Sequence, residues 1–342
     1  MHNIGVVGCG YWGPNLVRNF LSLPGVTVKA ICDKSQERLA HLGQLYPEVE
    51  KTTRFERIAD DDAIDMVAIA TPVSTHFALA SDCLSRGKHT FVEKPLATSS
   101  GDCEKLIRMA EDRQLILMVG HTFVYTPTVR KIREIVDSGE IGDVMYISCR
   151  RLNLGLFQKD INVAWDLAPH DLSIILYIMH QEPVSVNCQG KAHLSLRIED
   201  VTNISLNFRN GGFAIIQSSW IDPRKVREIT IVGSKRMVVY DDIEPLEKIK
   251  IYDKCVECPP HYDTFGEFQY SYHYGDILSP FIKQTEPLKT ECQHFVDCVD
   301  TGVQPDSSGR DGLAVVRILE AATKSLMDGG GTISLSEQAV YA

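Results

Sequence analysis

Residues 4–13 read IGVVGCGYWG and place Gly8, Gly10 and Gly13 directly after a short apolar run. A buried strand, a G-x-G-x-x-G turn and a helix, in that order, are typical of a dinucleotide-binding βαβ unit. There Gly8 allows the turn, Gly10 lets the backbone approach the pyrophosphate, and Gly13 permits close packing of helix and strand. The same letters could also form a tight turn without a ligand, so the surrounding pattern has to decide between the two.

An acidic residue stands where such a unit needs one. Asp33 ends the second apolar run, 20 residues after Gly13. A carboxylate there can accept hydrogen bonds from ribose hydroxyls and repel a 2′-phosphate, which favours NAD over NADP. Lys34 and Arg38 are nearby cations that could accommodate that phosphate, and they leave NADP as an alternative. We expect all three residues to lie at the cofactor.

The periodicity of the chain divides it into two parts. Strand-like runs alternate with helical segments over the first 120 residues, which predicts a doubly wound parallel sheet. After about residue 122, helices at 126–139 and 166–179 precede several alternating strands between 184 and 252, and two late helices follow near 288–301 and 309–328. This pattern predicts an α+β domain with an open, mainly antiparallel sheet. We therefore expect a Rossmann domain at 1–122 and a substrate-binding and oligomerisation domain at 123–342.

The composition excludes several classes of function. The chain has 342 residues and a formal net charge of −10, which argues against binding nucleic acid. It has no apolar run long enough to cross a membrane and no signal-peptide pattern, so we expect a cytoplasmic protein. Ten cysteines are spread along the chain, as in a reduced protein. Cys255, Cys258 and His261 have zinc-ligand spacing, but the second group, at 292–298, lacks a CxxC pair, so we expect ordinary thiols and no metal.

Two further stretches carry groups suited to catalysis. FVEKPLATS places Glu93 and Lys94 at the end of a strand, and ligands of such sheets bind at the carboxyl ends of strands. In WDLAPHD, Asp166 and His170 are four residues apart and share one helix face. Histidine suits general acid–base work because it titrates near neutral pH. The alternatives are a surface lysine, a helix-capping aspartate and a buried structural histidine.

Four motifs in this order, GVVGCGYWG, VAIATPVSTH, VEKPLATS and WDLAPHD, resemble the Gfo/Idh/MocA family of nicotinamide-dependent sugar and inositol oxidoreductases. The resemblance covers essentially the whole chain and implies the same two-domain architecture. It implies that Lys94 contacts both the nicotinamide ribose and the reacting hydroxyl, and that Asp166 and His170 are the catalytic pair. It also implies a set of further cofactor contacts: Tyr11, Trp12, Thr71, Pro72, His76 and Glu93.

The implied reaction is hydride transfer coupled to proton transfer, with His170 as the base and Lys94 stabilising the developing alkoxide. Cationic and amide side chains near the expected site suit a polyol and a diphosphate, although strand-edge charges facing solvent are the alternative. The residues expected to bind substrate, besides the catalytic pair, are Arg151, Asn153, Lys159, Asn162 and Trp165. Many family members carry two glycines before the aspartate, whereas this chain reads INVAWD.

The substrate itself is less defined by the sequence. NVAWDLAPHD resembles the family branch that acts on nucleotide-linked sugars, and we favour such a substrate. The alternatives are a free sugar or inositol dehydrogenase, an NAD-dependent glycosidase, and a non-catalytic NAD-binding sensor. The family also implies that the open sheet face is covered in a homodimer or homotetramer.

Overall fold

The computed structural model describes residues 1–158, 161–195, 197–257 and 271–335. The chain forms two compact units. The first unit consists of Met1–Thr126 and Thr285–Arg317, and the second of Pro127–Gln284 and Ile318–Ala342.

The first unit is built on a six-stranded parallel sheet in the order β3-β2-β1-β4-β5-β6. The strands are β1 (His2–Val7), β2 (Val26–Cys32), β3 (Glu50–Thr52), β4 (Met66–Ile69), β5 (His89–Glu93) and β6 (Leu117–Gly120). The strand order reverses between β1 and β4, and ligands of doubly wound sheets bind in the crevice at that point. The predicted Rossmann architecture is confirmed.

Helices connect these strands. They are α1 (Gly13–Leu21), α2 (Gln36–Leu45), α3 (Glu56–Ala59), α4 (His76–Ser85) and α5 (Ser100–Asp112). Serine side chains cap two of them: Ser35 accepts from the backbone N–H of Arg38, and Ser99 from that of Asp102. The short elements β3 and α3 were not predicted, because three or four residues are too few to show a period.

The second unit contains a nine-stranded sheet in the order β14-β13-β12-β11-β7-β10-β9-β8-β15. Neighbouring strands are antiparallel except for the parallel pair β7–β10. The strands are β7 (Val144–Leu154), β8 (Ser185–Lys191), β9 (Val201–Asn207), β10 (Phe213–Ser219), β11 (Ile221–Gly233), β12 (Met237–Asp241), β13 (Ile249–Glu257), β14 (Ser271–Leu278) and β15 (Ile333–Ser334). The predicted open, mainly antiparallel sheet is confirmed, although β14 was missed because it lies beyond the predicted strand region at 184–252.

Helices α6 (Pro127–Asp137) and α7 (Val163–Met179) belong to the second unit, and α7 packs on β7, β9 and β10. Ile147 and Cys149 are buried on that face of the sheet. On the opposite face the half-buried Tyr146 and Phe213 stack with ring centroids 6.3 Å apart. One face of the sheet is thus covered by helices within the chain.

The last two helices are α8 (Pro287–Thr301) and α9 (Gly309–Met327). Phe295 of α8 packs edge-on against Phe20 and Phe91, with centroids 6.5 and 5.9 Å away. Ser307 then joins the edge of β6, where Val119 N–H donates to its carbonyl at 2.8 Å. Residues 285–317 therefore lie in the first unit, whereas the sequence analysis placed a single boundary at 122/123. Periodicity shows that α8 is amphipathic but not which sheet its apolar face covers.

None of the helices formed by the described residues has the length and apolarity needed to cross a bilayer.

Candidate functional site

The glycine-rich loop after β1 is constrained by neighbouring backbone atoms at two of its three glycines. Gly8 has φ +97°, and a Cβ on it would lie 2.5 Å from the carbonyl oxygen of Ala70. A Cβ on Gly13 would lie 1.9 Å from the carbonyl oxygen of Gly8. A Cβ on Gly10 would come no nearer than 4.0 Å to Arg38 Nη1, its closest described neighbour. Gly8 and Gly13 are thus required by the fold, while Gly10 leaves open space above the loop.

The helix that follows the loop presents a free N-terminus. Trp12 occupies the N-cap position, and no side chain in the described part of the chain caps α1. Pro14 fits the first turn because it has no N–H to satisfy. The remaining N–H groups and the helix dipole favour an anion there. Tyr11 and Trp12 are exposed beside this end, with their rings edge-on at 5.6 Å.

Asp33 connects this loop to the start of α2. Its buried carboxylate accepts from the N–H of Cys9 at 2.6 Å and from that of Ser35 at 2.7 Å. The guanidinium of Arg38 lies 3.7 Å away, and Lys34 is exposed. Burial, helped by the Asp33 charge, raises the pKa of the Cys9 thiol to about 12, so this cysteine stays protonated.

These features fit a bound dinucleotide. The space over Gly10 and the uncapped N-terminus of α1 would hold the pyrophosphate. The Asp33 carboxylate would accept hydrogen bonds from the adenosine ribose hydroxyls. The sequence analysis assigned Gly8, Gly10, Gly13 and Asp33 to this function, and the structure brings all four to one end of β1 and β2.

Another predicted cofactor contact has a different use in this structure. His76 is buried, and its ring nitrogens lie 2.9 Å from the carbonyl oxygen of Pro95 and 2.8 Å from that of Thr71. Burial lowers the pKa of His76, opposed by these two backbone hydrogen bonds. The ring therefore ties together the loops that follow β4 and β5. In the first of these loops Thr71 is half-buried and Pro72 is exposed, and Thr71 Oγ1 lies 2.7 Å from Thr75 Oγ1.

Lys94 lies directly after β5, with a cis peptide bond to Pro95. It is half-buried and electrostatically close to two buried groups: its charge opposes the raised pKa of Glu93 and lowers that of His121. The largest cause of both shifts is burial, which takes the pKa of Glu93 to about 7 and that of His121 to about 3. His121 was not singled out from the sequence.

Helix α7 carries the predicted pair Asp166 and His170, but its N-cap is Asn162. The Asn162 side chain accepts from Trp165 N–H at 3.2 Å and donates to Glu199 Oε2 at 2.9 Å. The indole N–H of Trp165 donates to Thr323 Oγ1 at 3.0 Å. Asn162 and Trp165, predicted to bind substrate, thus have their polar groups engaged inside the unit, and Asp166 is not the cap.

Asp166 is oriented by a residue that the sequence analysis missed. Trp220, buried at the end of β10, donates its indole N–H to Asp166 Oδ2 at 3.1 Å. His170 is half-buried on the same helix, and its carbonyl accepts from Ser173 Oγ at 2.8 Å. No sequence signal distinguishes Trp220 from other aromatic residues at strand ends, because its partner lies 54 residues away.

Arg151, another of the expected substrate ligands, is engaged in a buried ion pair. Its guanidinium makes a two-pronged ion pair with Asp171, with N···O distances of 2.9 and 2.8 Å. The two residues are only 6% and 2% exposed. This buried ion pair joins β7 to α7, one residue after His170. The two guanidinium N–H groups that could have bound a phosphate donate to the Asp171 carboxylate instead. Asn153 is half-buried at the end of β7, and Lys159 lies outside the described residues.

The possible metal ligands do not assemble in the part of the chain that the structure describes. Cys258 and His261 lie outside it, and no group of three His, Cys, Asp or Glu side chains among the described residues could hold an ion. His294 lies 3.5 Å from Cys298 Sγ and accepts from the N–H of Asp306 at 3.1 Å, so it has a structural use.

Comparison with protein families decides the class. Residues 2–121 match the model of an oxidoreductase family with an NAD-binding Rossmann fold, and residues 129–239 match the Gfo/Idh/MocA C-terminal domain. The chain belongs to the Gfo/Idh/MocA family of oxidoreductases. The resemblance found in its four motifs is confirmed, as are its class as a dehydrogenase-type enzyme and NAD as its cofactor.

Individual Gfo/Idh/MocA relatives differ in substrate. UDP-N-acetylglucosamine 3-dehydrogenase of Acidithiobacillus ferrooxidans is 29% identical over 244 residues, which cover 69% of this chain and 73% of that enzyme. Myo-inositol 2-dehydrogenase of Thermotoga maritima is 26% identical, with 94% and 96% covered. The solved structure of the Acidithiobacillus enzyme covers 96% of this chain and 99% of its own, with a TM-score of 0.79 and 23% identity. An enzyme of gentamicin A biosynthesis, solved with NAD, has a TM-score of 0.81 at 22% identity, with 98% and 96% covered.

Proposed function

We propose that this oxidoreductase transfers a hydride between NAD and a secondary hydroxyl or keto group of a nucleotide-linked sugar. The observation that carries the catalytic assignment is the position of Lys94. It directly follows β5, at the carboxyl edge of the parallel sheet whose β1 and β2 present the dinucleotide loop. A cation at this edge suits a developing alkoxide.

The proposed mechanism divides the work among three side chains. A secondary alcohol donates a hydride poorly until its O–H bond weakens, so His170 takes the hydroxyl proton as a general base. Lys94 stabilises the negative charge that grows on the oxygen. Asp166 orients the imidazole and stabilises its protonated form, and Trp220 holds Asp166 in place. When bound, NAD supplies the nicotinamide that accepts the hydride, and in the reductive direction His170 returns the proton.

The preference for NAD over NADP rests on Asp33. Two backbone N–H groups hold its carboxylate beside the loop, where a ribose 2′-phosphate would meet negative charge. Arg38 is the nearest cation and is more than half exposed. We expect NAD to bind more tightly than NADP, and Asp33→Ala to narrow that difference.

A nucleotide-linked substrate is favoured by the motif around Asp166 and by the relative that acts on UDP-N-acetylglucosamine. A free sugar or inositol is the second candidate, because the Thermotoga relative is an inositol dehydrogenase matched over nearly its full length. Arg224 and Lys225 are exposed cations in the irregular part of β11, between Ile221 and Val226, and are the diphosphate ligands we propose in place of Arg151.

We also propose that the face of the nine-stranded sheet opposite α7 pairs with a second copy of the chain in a homodimer or homotetramer. Half-buried apolar side chains occupy this face, among them Tyr146, Phe213 and Ile215. An apolar face of this kind is normally covered. Ile215→Lys should dissociate the assembly in analytical ultracentrifugation.

A substrate panel tests the proposed function. The purified protein is incubated with NAD or NADH and with nucleotide sugars, free sugars and inositols, while nicotinamide absorbance is followed. A response confined to nucleotide sugars supports the proposal, and one confined to free sugars or inositols supports the second candidate. Sugar release without net NADH would indicate a glycosidase, and silence despite tight NAD binding would indicate a sensor.

A further inference from the structure

The first unit contains a buried polar cluster that the proposed mechanism does not use. It consists of Glu93 at the end of β5, His121 just after β6, and Glu291 on α8, which are 7%, 1% and 0% exposed. Among the described residues, four of its atoms are buried without a hydrogen-bond partner: Glu93 Oε1, His121 Nδ1, His121 Nε2 and Glu291 Oε1.

Short contacts place the three side chains around one segment of backbone. Glu93 pairs with Gly120 across the parallel strands, and a Cβ on Gly120 would lie 3.0 Å from Glu93 Oε2. The Glu93 carboxyl therefore covers the residue just before His121. The residue just after it, Thr122, donates its hydroxyl to Glu291 Oε2 at 2.7 Å. The carboxyls of Glu93 and Glu291 thus flank His121 on both sides along the chain.

The unpartnered atoms call for a ligand. A buried polar atom without a partner destabilises the folded state, and folded proteins satisfy almost all such atoms with protein or ordered water. A buried water makes about three hydrogen bonds and needs polar partners on several sides. Two carboxyls and an imidazole around one short segment offer such partners, whereas the described residues offer no metal-binding group.

We propose that Glu93, His121 and Glu291 enclose an internal water site on the interior side of Lys94. His121 and Glu291 are then positioning residues, which act on Lys94 through that water and Glu93. The effect on Lys94 rests on the proposed function, while the water site itself does not.

Charge complementarity supports this arrangement. Burial, with the Glu93 charge second, raises the pKa of Glu291 well above its ordinary value, which favours the protonated carboxyl, the form that can donate a hydrogen bond. The pKa of His121 is lowered to about 3, so its imidazole is neutral near pH 7 and offers one donor and one acceptor. Cys292, beside Glu291 on α8, is also protonated, because burial and then Glu291 raise its pKa. Glu93 and Lys94 are thus the charges of opposite sign that the water network joins.

The test compares two substitutions of one residue. Glu291→Gln keeps a neutral side chain with a donor and an acceptor, so we expect the water to remain and kcat to change less than about twofold. Glu291→Leu removes both groups, and losing a hydrogen bond in the network should lower kcat roughly tenfold while NAD affinity stays unchanged. Equal losses in both variants, or none in either, would overturn the positioning role.

The control pair is Glu286→Gln and Glu286→Leu, just before the same helix. Glu286 pairs with Arg18 near the surface, so neither substitution should move kcat. If Glu291→Leu does not fold, Thr122→Val removes only the hydroxyl that orients Glu291, and it should lower kcat with NAD affinity unchanged.

Two readouts are independent of turnover. A high-resolution crystal structure should show a water within hydrogen-bond distance of all three side chains in the wild type and in Glu291→Gln, but not in Glu291→Leu. Infrared spectroscopy at pH 7 should show a protonated carboxyl band that Glu291→Gln removes. A site filled by side chains without water overturns the proposal. If the protein shows no turnover but gives the expected water and the expected carboxyl band, the proposed function is contradicted and the water site is still supported.

Discussion

The loop after β1 and the first turns of α7 both carry predicted functional residues, but they are built differently. In the loop, Gly8 and Gly13 meet backbone oxygens at distances that no side chain can relieve. On α7, Asp166 is held by the indole of a distant tryptophan, and an arginine on β7 anchors the next residue after His170. Substitutions at Gly8 or Gly13 should therefore either be tolerated or prevent folding, whereas substitutions around Asp166 and His170 should lower turnover by graded amounts.

The largest expected effect separates two glycines of the loop. Gly13→Ala forces a Cβ onto the carbonyl oxygen of Gly8, so we expect a loss of about 4 kcal/mol or more in unfolding free energy, or no folded protein. Gly10→Ala meets no protein atom within van der Waals distance and should melt like the wild type. Its NAD affinity should fall at least about tenfold, because the methyl group occupies the pyrophosphate space. Calorimetry measures both quantities, and unchanged NAD affinity in Gly10→Ala would remove the cofactor from this loop.

The second comparison is between the groups proposed for proton transfer and their exposed counterparts. His170→Ala should lower turnover about 10²–10⁴-fold, which is what a positioned acid–base group contributes. Lys94→Ala should lower it about 10²–10³-fold, as is typical of losing a group that stabilises an oxyanion. Both variants should retain NAD affinity. The matched controls are His180→Asn, just past the end of the same helix, and Lys105→Ala, which pairs with Asp102 on the surface. Steady-state kinetics on the responding substrate decide the outcome. Normal turnover in either alanine variant would exclude that residue from the mechanism.

The third prediction concerns the effect of the buried Glu93 carboxyl, at the edge of the parallel sheet, on the free energy of unfolding. Burial raises the pKa of Glu93 from 4.5 to about 7, so the folded state holds a proton that the unfolded chain has already released. Because the pKa of Glu93 is raised in the folded state, its contribution to the free energy of unfolding is fully present below pH 4.5. That contribution is lost as the pH rises through about 7. The loss amounts to about 3 kcal/mol, at about 1.4 kcal/mol per pKa unit.

Urea unfolding of the wild type and of Glu93→Gln between pH 4.5 and 8 measures this effect. The advantage of the wild type should shrink by about 3 kcal/mol over that range, because glutamine does not titrate. His121 titrates with the opposite sign in both proteins and cancels in the difference. Parallel pH profiles would show that Glu93 ionises normally in the folded protein.

The smallest effect is expected at Trp220. Trp220→Phe keeps most of the buried ring and removes only the N–H that donates to Asp166, so turnover should fall about tenfold or less. The loss should fall on kcat and leave NAD affinity unchanged, because Asp166 acts on His170. A loss as large as that of His170→Ala would mean that Trp220 is not merely a positioning residue.

Parts of the site that depend on residues close together in the sequence could be predicted, and parts that depend on distant partners could not. The glycine loop could be recognised because its three glycines and the strand and helix that flank them lie within one short stretch of chain, although the carbonyl oxygen that crowds Gly8 belongs to Ala70. The spacing of Asp166 and His170 was sufficient to place them on one helix. Arg151, Asn162 and His76 have the chemistry of ligands, yet each is engaged inside its own unit by partners that the spacing could not reveal. Glu291 did leave a signal, a carboxyl between Leu288 and Phe295 on the apolar stripe of a helix.

The return of α8 to the parallel sheet has a consequence for how the protein is synthesised. Between Thr126 and Thr285 the ribosome adds about 160 residues, which takes on the order of ten to thirty seconds. During that time Phe20 and Phe91 lack the ring of Phe295, and the β6 edge lacks Ser307. The nucleotide-binding unit, although encoded first, is therefore completed late. A gene truncated after Thr126 should yield a fragment with exposed apolar surface that binds chaperones.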